Sequence, residues 1–345
     1  MNATFVSQKN ETETSTPTNT ALRFAPHYQR RIWGGRRLET LMHRLLPDDI
    51  SGYGESWEIC DRPGCQSRVI EGEHTGRTLA ELWQNNRLEV FGAALARHPS
   101  PRYPLLMKIL DAEDDLSVQV HPPANLAAMF GGEPKTEVWY VAAAEPGSRI
   151  YAGVRKGVDE DSFADAVDEG RCAELLHSVE VQTGQSMFVP SGRVHALGAG
   201  LVVFEVQQNS DTTFRIHDWG RTDAQGKPRE LDIDVALECM NFHDAEPMPQ
   251  PPVDNGVIAA CPHFEVLCRS SKPGEIRQLG EAGEHLVVIM VRGRAEMAGL
   301  EACPGDFLMI PACLSAEERQ VVNKGAYAVK WLEVRIPSPS EPMVL

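Results

Sequence analysis

Gln119-Val120-His121 is the segment that most restricts how this chain can fold. Two potential metal donors one residue apart share a face where the backbone is extended, because side chains alternate sides along a strand. A second run, Gly184 to His195, carries Pro190 and Gly192 ahead of its imidazole and reads as a strand closing in a Pro and Gly turn. Glu137 opens the apolar run Val138-Trp139-Tyr140-Val141-Ala142. Two imidazoles, a carboxylate and an amide can thus converge on one divalent cation from the wall of a β-barrel. Any one of these histidines alone is better read as structural, and a buried Gln as merely hydrogen-bonded. Four such residues at this spacing make coincidence hard to maintain.

With 345 residues, 42% hydrophobic and 24% charged, the chain is long enough for two compact domains with substantial cores. No apolar run approaches the roughly 18 residues that a membrane helix needs. Residues 1–20 lack the basic start and apolar stretch of a secretory signal, so a disordered tail on a soluble, cytoplasmic protein is expected. Eight cysteines are scattered without a C-x-x-C pair, which reads as reduced thiols and gives disulfides no expected part. Lys plus Arg total 33 against 49 Asp plus Glu, a net charge of -16 that argues against nucleic acid or an anionic membrane as partner. An anionic substrate would need a locally basic pocket. The pattern is silent on oligomeric state.

Beyond the tail, Arg31-Ile32-Trp33-Gly34-Gly35 begins the folded part, and residues 54–59 read as a short strand. Thr78 with Glu81 is a capping-box pattern that starts a helical region ended by Pro99. Residues 159–178, broken near Gly170, and 231–242 read as further helical regions, with the ligand-bearing strands between them. Met248-Pro249-Gln250-Pro251-Pro252 is the best linker, since prolines exclude both helix and central strand. The expected division is therefore 21–247 as the metal-bearing domain and 253–345 as a second β unit. In the latter, Gly305 and Pro311 repeat the earlier glycine and proline spacing, but Leu314-Ser315-Ala316 offers no histidine, so a metal-free barrel is expected. His285 stands alone and reads as structural.

The spacing of the ligand runs resembles the two metal-binding motifs of the cupin superfamily, with Gln119 where most cupins have His. More specifically, five blocks look like the type I mannose-6-phosphate isomerases, in that family's order and closest to its short bacterial form. They are Leu105–Leu110, Leu116–Pro122, Lys135–Tyr140, Val189–Ala196 and Glu205–Arg215. The likeness also takes in Trp33-Gly34-Gly35 and Glu55-Ser56-Trp57-Glu58. Pro123, Val138 and His217 depart from the family pattern without touching a proposed ligand. The resemblance implies a mainly β fold of two cupin-like jelly-roll barrels with α-helical insertions. It also implies one zinc per chain held by Gln119, His121, Glu137 and His195, and interconversion of mannose 6-phosphate and fructose 6-phosphate. The donor set alone suits zinc, iron or manganese.

Moving a carbonyl between C1 and C2 removes a carbon-bound proton and leaves an enediolate, whose oxygen a divalent cation stabilises as a Lewis acid. Arg215 stands where the resembling isomerases place an essential arginine, and its planar charged fork suits either the enediolate or the phosphate. Its bland reading is an ion-paired surface arginine. Lys135, on the strand face of Glu137, is either a proton carrier or a phosphate contact. Lys108 and Ser117 read as substrate contacts, with a solvated Lys and an ordinary strand Ser as alternatives. Asp211 and Glu205 serve as proton relays or orient the ligands. Trp57, Trp139 and Trp219 read as packing residues. Two rivals are a sugar-phosphate-binding cupin without turnover and an iron dioxygenase; the full donor set with Arg215 counts against the first, and Gln119 with the Arg215 block against the second.

Overall fold

The computed structural model of the protein describes residues 19–222 and 225–338, so the expected tail lies outside the described residues up to residue 18. Strand alternation generates the architecture. In Leu105–Ala112, Glu137–Ala144 and Leu201–Gln208, buried along most of their length, one set of alternate residues (Met107, Ile109, Val138, Tyr140, Phe204, Val206) enters one core. The intervening set (Leu110, Trp139, Val141, Val203) enters another. These three strands form the middle of a six-stranded sheet with Ser186–Val189, His27–Gly35 and Tyr53–Ile59. A five-stranded sheet, ordered Leu176–Glu180, Arg149–Val154, His195–Leu197, Val118–Val120 and Phe214–His217, supplies Ile150, Ala152 and Leu197 to the second core and so faces it.

On the other side, a seven-stranded sheet contributes Val287, Ile289, Phe307, Leu332 and Val334 to the first core, with its outer face closed by a four-stranded sheet through Val288, Leu308, Trp331 and Met297. Four sheets therefore stack in the order five, six, seven and four strands. The expected barrels are two pairs of facing sheets, as in a jelly roll, rather than closed rings of hydrogen bonds.

The helices fall near their expected places. Thr78 caps Leu79–Asn85 with the full capping box, and Arg87–Leu95 continues it. Glu160–Asp168 and Cys172–Leu175 fill the second region, but Leu176–Glu180 is strand, because it pairs antiparallel with Arg149–Val154. Ile233–Cys239 is the third. Residues 248–252 carry neither helix nor strand, with one bridge from Gln250 to Ser186.

The boundary between the two β units is interleaved. Leu22–Phe24 and Val69–Glu71, early in the sequence, hydrogen-bond into the seven-stranded sheet, Leu22 opposite Met309. A charge network spans the same junction: Arg44 binds the Glu58 carboxylate at 2.9 Å and reaches Asp306 at 3.4 Å, and Asp306 also meets Arg23 at 2.9 Å. Close backbone approach explains one early motif, since a Cβ on Gly34 would lie 2.2 Å from the Gly54 nitrogen.

Glu58 is 3% exposed, so removing its cation leaves a buried, uncompensated carboxylate. Arg44→Ala should cost about 3–5 kcal/mol, read as a lower denaturant midpoint in urea unfolding; a midpoint within error of the parent's would show that the network does not tie the units together.

Candidate metal centre

Gln119 and His121 leave the five-stranded sheet on one face, as alternation requires, and His195 lies directly opposite Gln119 on the neighbouring strand. Glu137 reaches the same point from the six-stranded sheet. The donor atoms of His121, Glu137 and His195 all lie within 4.8 Å of one another, and all three side chains are buried. Glu137 Oε2 is 3.6 Å from His121 Nε2 and Oε1 is 3.6 Å from His195 Nε2. The Gln119 amide completes the group, 3.3 Å from His195 Nε2, and its oxygen accepts from Ser117 Oγ at 3.2 Å.

The backbone sets the tautomer of both imidazoles. His121 Nδ1–H donates to the Thr212 carbonyl at 2.9 Å and His195 Nδ1–H to the Arg193 carbonyl at 2.8 Å. A carbonyl can only accept, so each ring carries its proton on Nδ1 and turns the Nε2 lone pair inward. Burial pushes His121 down to about 3, with the Lys135 charge adding to it, and burial holds His195 at about 4 despite the attraction of Glu137. Both rings are therefore neutral near pH 7, the form that binds metal. Burial would raise the Glu137 carboxyl, but the Lys135 charge outweighs it and keeps the group ionised. Neither Glu137 oxygen accepts a well-formed hydrogen bond; the Lys135 ammonium, 2.6 Å from Oε2, is its ion-pair partner. A buried anion facing two inward lone pairs is the environment a divalent cation stabilises, so the residues fit such an ion.

A cavity of about 380 Å³ opens beside this centre. Lys108, Lys135, Arg31, Arg215 and Arg229 line it against three carboxylates, Glu55, Glu205 and Asp211, which is the locally basic pocket that a chain of net charge -16 needs to take an anion. Ser117 and Gln119 also face it. Lys108 stands 3.7 Å from Glu55 and 3.5 Å from Glu205. Burial opposes its charge, yet these carboxylates raise its pKa and keep it protonated. Burial likewise opposes ionisation of Glu55, but Lys108 and Arg31 hold it at about 2. Glu205 goes the other way, raised by burial, and accepts from the Trp139 indole at 3.1 Å. Arg215 sits opposite Gln119 on the adjacent strand, its Nη1 bonded to the Glu230 carbonyl at 3.0 Å and its buried Nε without a partner.

All eight site residues read from the sequence thus line one centre and its cavity. Arg31 and Arg229 escaped that reading. Arg229 lies in the loop before Ile233–Cys239, anchored to Asp218 with Nε 2.7 Å from Oδ2, and no spacing rule marks it. Arg31 precedes the Trp33-Gly34-Gly35 block and pairs with Glu55 at 2.8 Å, a register visible only once Gln29 and Glu55 are seen to pair across strands. The tryptophans are packing residues: Trp57 and Trp139 are buried, and the Trp219 indole donates to the Leu116 carbonyl at 2.7 Å. His285 is buried too, bonded to the Tyr103 hydroxyl at 2.9 Å and edge-on to Phe91.

Facing sheets with a His, Glu and His centre at the mouth of one pair define a metal-centred protein of the cupin type. The comparisons narrow the class. The model of the phosphomannose isomerase type I catalytic domain matches residues 21–146. Mannose-6-phosphate isomerase ManA of Bacillus subtilis is 40% identical over 225 residues, 65% of this chain and 69% of that protein. Mannose-6-phosphate isomerase of Streptococcus mutans is 34% identical over 294 residues, 82% and 89% of the two chains. The crystal structure of the mannose 6-phosphate isomerase from Bacillus subtilis superposes with a TM-score of 0.76 at 26% identity, covering 92% of this chain and 100% of that one. A zinc-bound holo mannose 6-phosphate isomerase shares the fold with a TM-score of 0.72 at 17% identity, over 92% and 100%. The chain belongs to the type I mannose-6-phosphate isomerases, a family of aldose–ketose isomerases.

Replacing either inward imidazole removes a donor. His121→Ala and His195→Ala should each weaken binding of a divalent cation by more than about a hundredfold, beyond what disturbing an outer hydrogen bond brings. His285→Ala should leave metal content unchanged. Elemental analysis after dialysis checks all three, and full occupancy in the first two would remove those rings from the centre.

Proposed function

We propose that the protein is a zinc-dependent isomerase interconverting mannose 6-phosphate and fructose 6-phosphate through an enediolate. The observation that carries this reading is the buried His121, Glu137 and His195 centre opening onto a cationic cavity. Family membership and the zinc-bound relative favour zinc over the other metals that the donors suit. In this reading Gln119, His121, Glu137 and His195 hold the ion. When bound, it polarises the sugar carbonyl and stabilises the negative oxygen of the enediolate.

The remaining steps belong to the chain. The cavity takes the phosphorylated sugar as its small-molecule partner, with Lys108 and Ser117 in contact with it. Lys108 stays charged between Glu55 and Glu205, a fixed cation that does not titrate during turnover. Lys135, with its ammonium among the donors, moves the proton between C1 and C2. Arg215 places a permanent charge along the row His195, Gln119, Arg215 and stabilises the oxygen on which charge develops. Residues 21–247 carry this machinery. The second unit, 253–345, is the one without metal in this reading, and its described strands share a sheet with the early strands Leu22–Phe24 and Val69–Glu71. No described helix is long and apolar enough to cross a membrane, and with eight free cysteines this supports placing the enzyme in the cytoplasm.

A coupled assay with mannose 6-phosphate, run before and after chelation and again after zinc is restored, tests the reading; turnover that survives complete metal removal would sink it. Arg215→Ala should keep its metal and fold while kcat falls about a hundredfold or more. Arg215→Lys should rescue only part, since an ammonium lacks the planar fork. A change confined to KM would instead assign Arg215 to ground-state phosphate binding, and unchanged kinetics would remove it from both roles.

A further inference from the structure

Cys60 and Cys65 frame a tight hairpin at the edge of the cavity. Asp61–Arg62 and Cys65–Gln66 pair antiparallel, Arg62 opposite Cys65, with Pro63 and Gly64 at the tip and Gly64 at a φ of 78°. Cys60 is fully buried against Trp57 and Leu106, whereas Cys65 is partly exposed. The Cys60 Sγ donates toward the Cys65 carbonyl at 3.1 Å, which sets the buried thiol against the backbone of its partner.

Their environments differ as those of a reactive pair do. The Cys65 thiol is held below its ordinary value, first by the Cys60 thiol and with help from the Lys108 and Arg62 charges, against burial and Asp211. The Cys60 thiol is pushed up by the same contact and by burial. Burial raises Cys172, Cys239 and Cys268, which leaves them poor nucleophiles.

The hairpin is also wired to the cavity. Lys108 and Asp211, which act on Cys65, both line it. Arg62 Nη1 binds Glu133 Oε2 at 2.9 Å and the Asn209 carbonyl at 2.8 Å, and Asn209 Nδ2 donates back to the Asp61 carbonyl at 2.9 Å. Glu133 and Asn209 each stand two residues from a cavity residue, Lys135 and Asp211.

We infer that Cys60 and Cys65 are a hydroperoxide-sensitive dithiol, whose oxidation to an intrachain disulfide slows the enzyme by shifting the hairpin that braces the cavity. The Cys65 thiolate attacks a peroxide oxygen, the O–O bond breaks, and protonation releases water, leaving a sulfenic acid on Cys65. The Cys60 sulfur then attacks Cys65, the S–O bond breaks, a second water leaves, and the S–S bond forms. Two thiols lose two electrons and the peroxide gains them; a dithiol reductant reverses the change. Closing the bond brings the two sulfurs to about 2.05 Å, a displacement that Arg62 and Asp61 pass to Glu133 and Asn209.

Formation of the disulfide does not rest on the isomerase reading; its effect on turnover does. The purified full chain, treated with hydrogen peroxide and then with dithiothreitol, is followed by intact mass, by peptide mapping and by the mannose 6-phosphate assay. Expected is the loss of two hydrogens mapped to the Cys60–Cys65 peptide, with turnover falling about tenfold or more, the scale of loss that displaced active-site groups bring. Both should return on reduction. Cys65→Ser should show neither effect, and Cys60→Ser should leave a sulfenic acid on Cys65 that a 1,3-diketone traps. An uncrosslinked peptide, an irreversible oxygen adduct at Cys65, or a crosslink with unchanged turnover in an active enzyme would overturn the inference. A crosslink in a protein inactive even when reduced and metal-loaded would leave the dithiol site standing and count against the isomerase assignment instead.

Discussion

A carboxylate deep inside the protein, without a well-formed hydrogen bond, organises the rest of the molecule. Glu137 projects from the central sheet into a space that strands of the opposite sheet close with two imidazoles and an amide. An ionised carboxyl there is tolerable only against positive charge, which Lys135 supplies and which a divalent cation held between these side chains would supply as well. The demand for countercharge spreads outward. Lys108 balances Glu55 and Glu205, Arg31 balances Glu55, and Asp218 anchors Arg229, so the basic pocket is built as a lattice of alternating charges. An excess of cations remains at its surface, within a strongly acidic chain.

The central six-stranded sheet is what allows this concentration of charge. Along Leu105–Ala112 and Leu201–Gln208, Lys108 and Glu205 face the cavity, while their neighbours Met107, Ile109, Phe204 and Val206 enter the apolar core. Polar chemistry and hydrophobic stabilisation thus occupy alternate residues of the same strands. A shift of register by one residue would exchange the two, so the same apolar packing that stabilises the sheet also fixes the functional face.

Much of this was legible in the sequence, for identifiable reasons. The one-residue spacing of Gln119 and His121 determines a shared face by strand geometry alone, and Thr78 with Glu81 marks a helix start because the capping box is local. The prolines of 248–252 exclude regular structure by their chemistry. Non-local relations were not legible. Nothing in residues 21–24 announces that they pair with Met309 and Leu308, and the helical pattern of 159–178 runs on into residues that only cross-strand pairing with Arg149–Val154 makes a strand. The same holds at the site. Arg229 reaches the cavity through a loop held by Asp218, and the apposition of Cys60 and Cys65 depends on a two-residue turn, so the scattered cysteine positions carry no hint of a pair.

The early strand Leu22–Phe24 bears on how the chain is made. It lies between Val69–Glu71 and Phe307–Ile310 in the seven-stranded sheet. One of these neighbours leaves the ribosome soon after it, but the other follows only when most of the chain has been synthesised. Until then one edge of this strand lacks its hydrogen-bonding partner, and the apolar side chains of Leu22 and Phe24 lack half of their final cover. The loop that must close spans nearly the whole protein, so docking of the late strand is a slow, long-range event that follows assembly of the more local sheets. The two β units, though separable on paper at a proline linker, thus share a sheet that closes only when Phe307–Ile310 meets Leu22–Phe24.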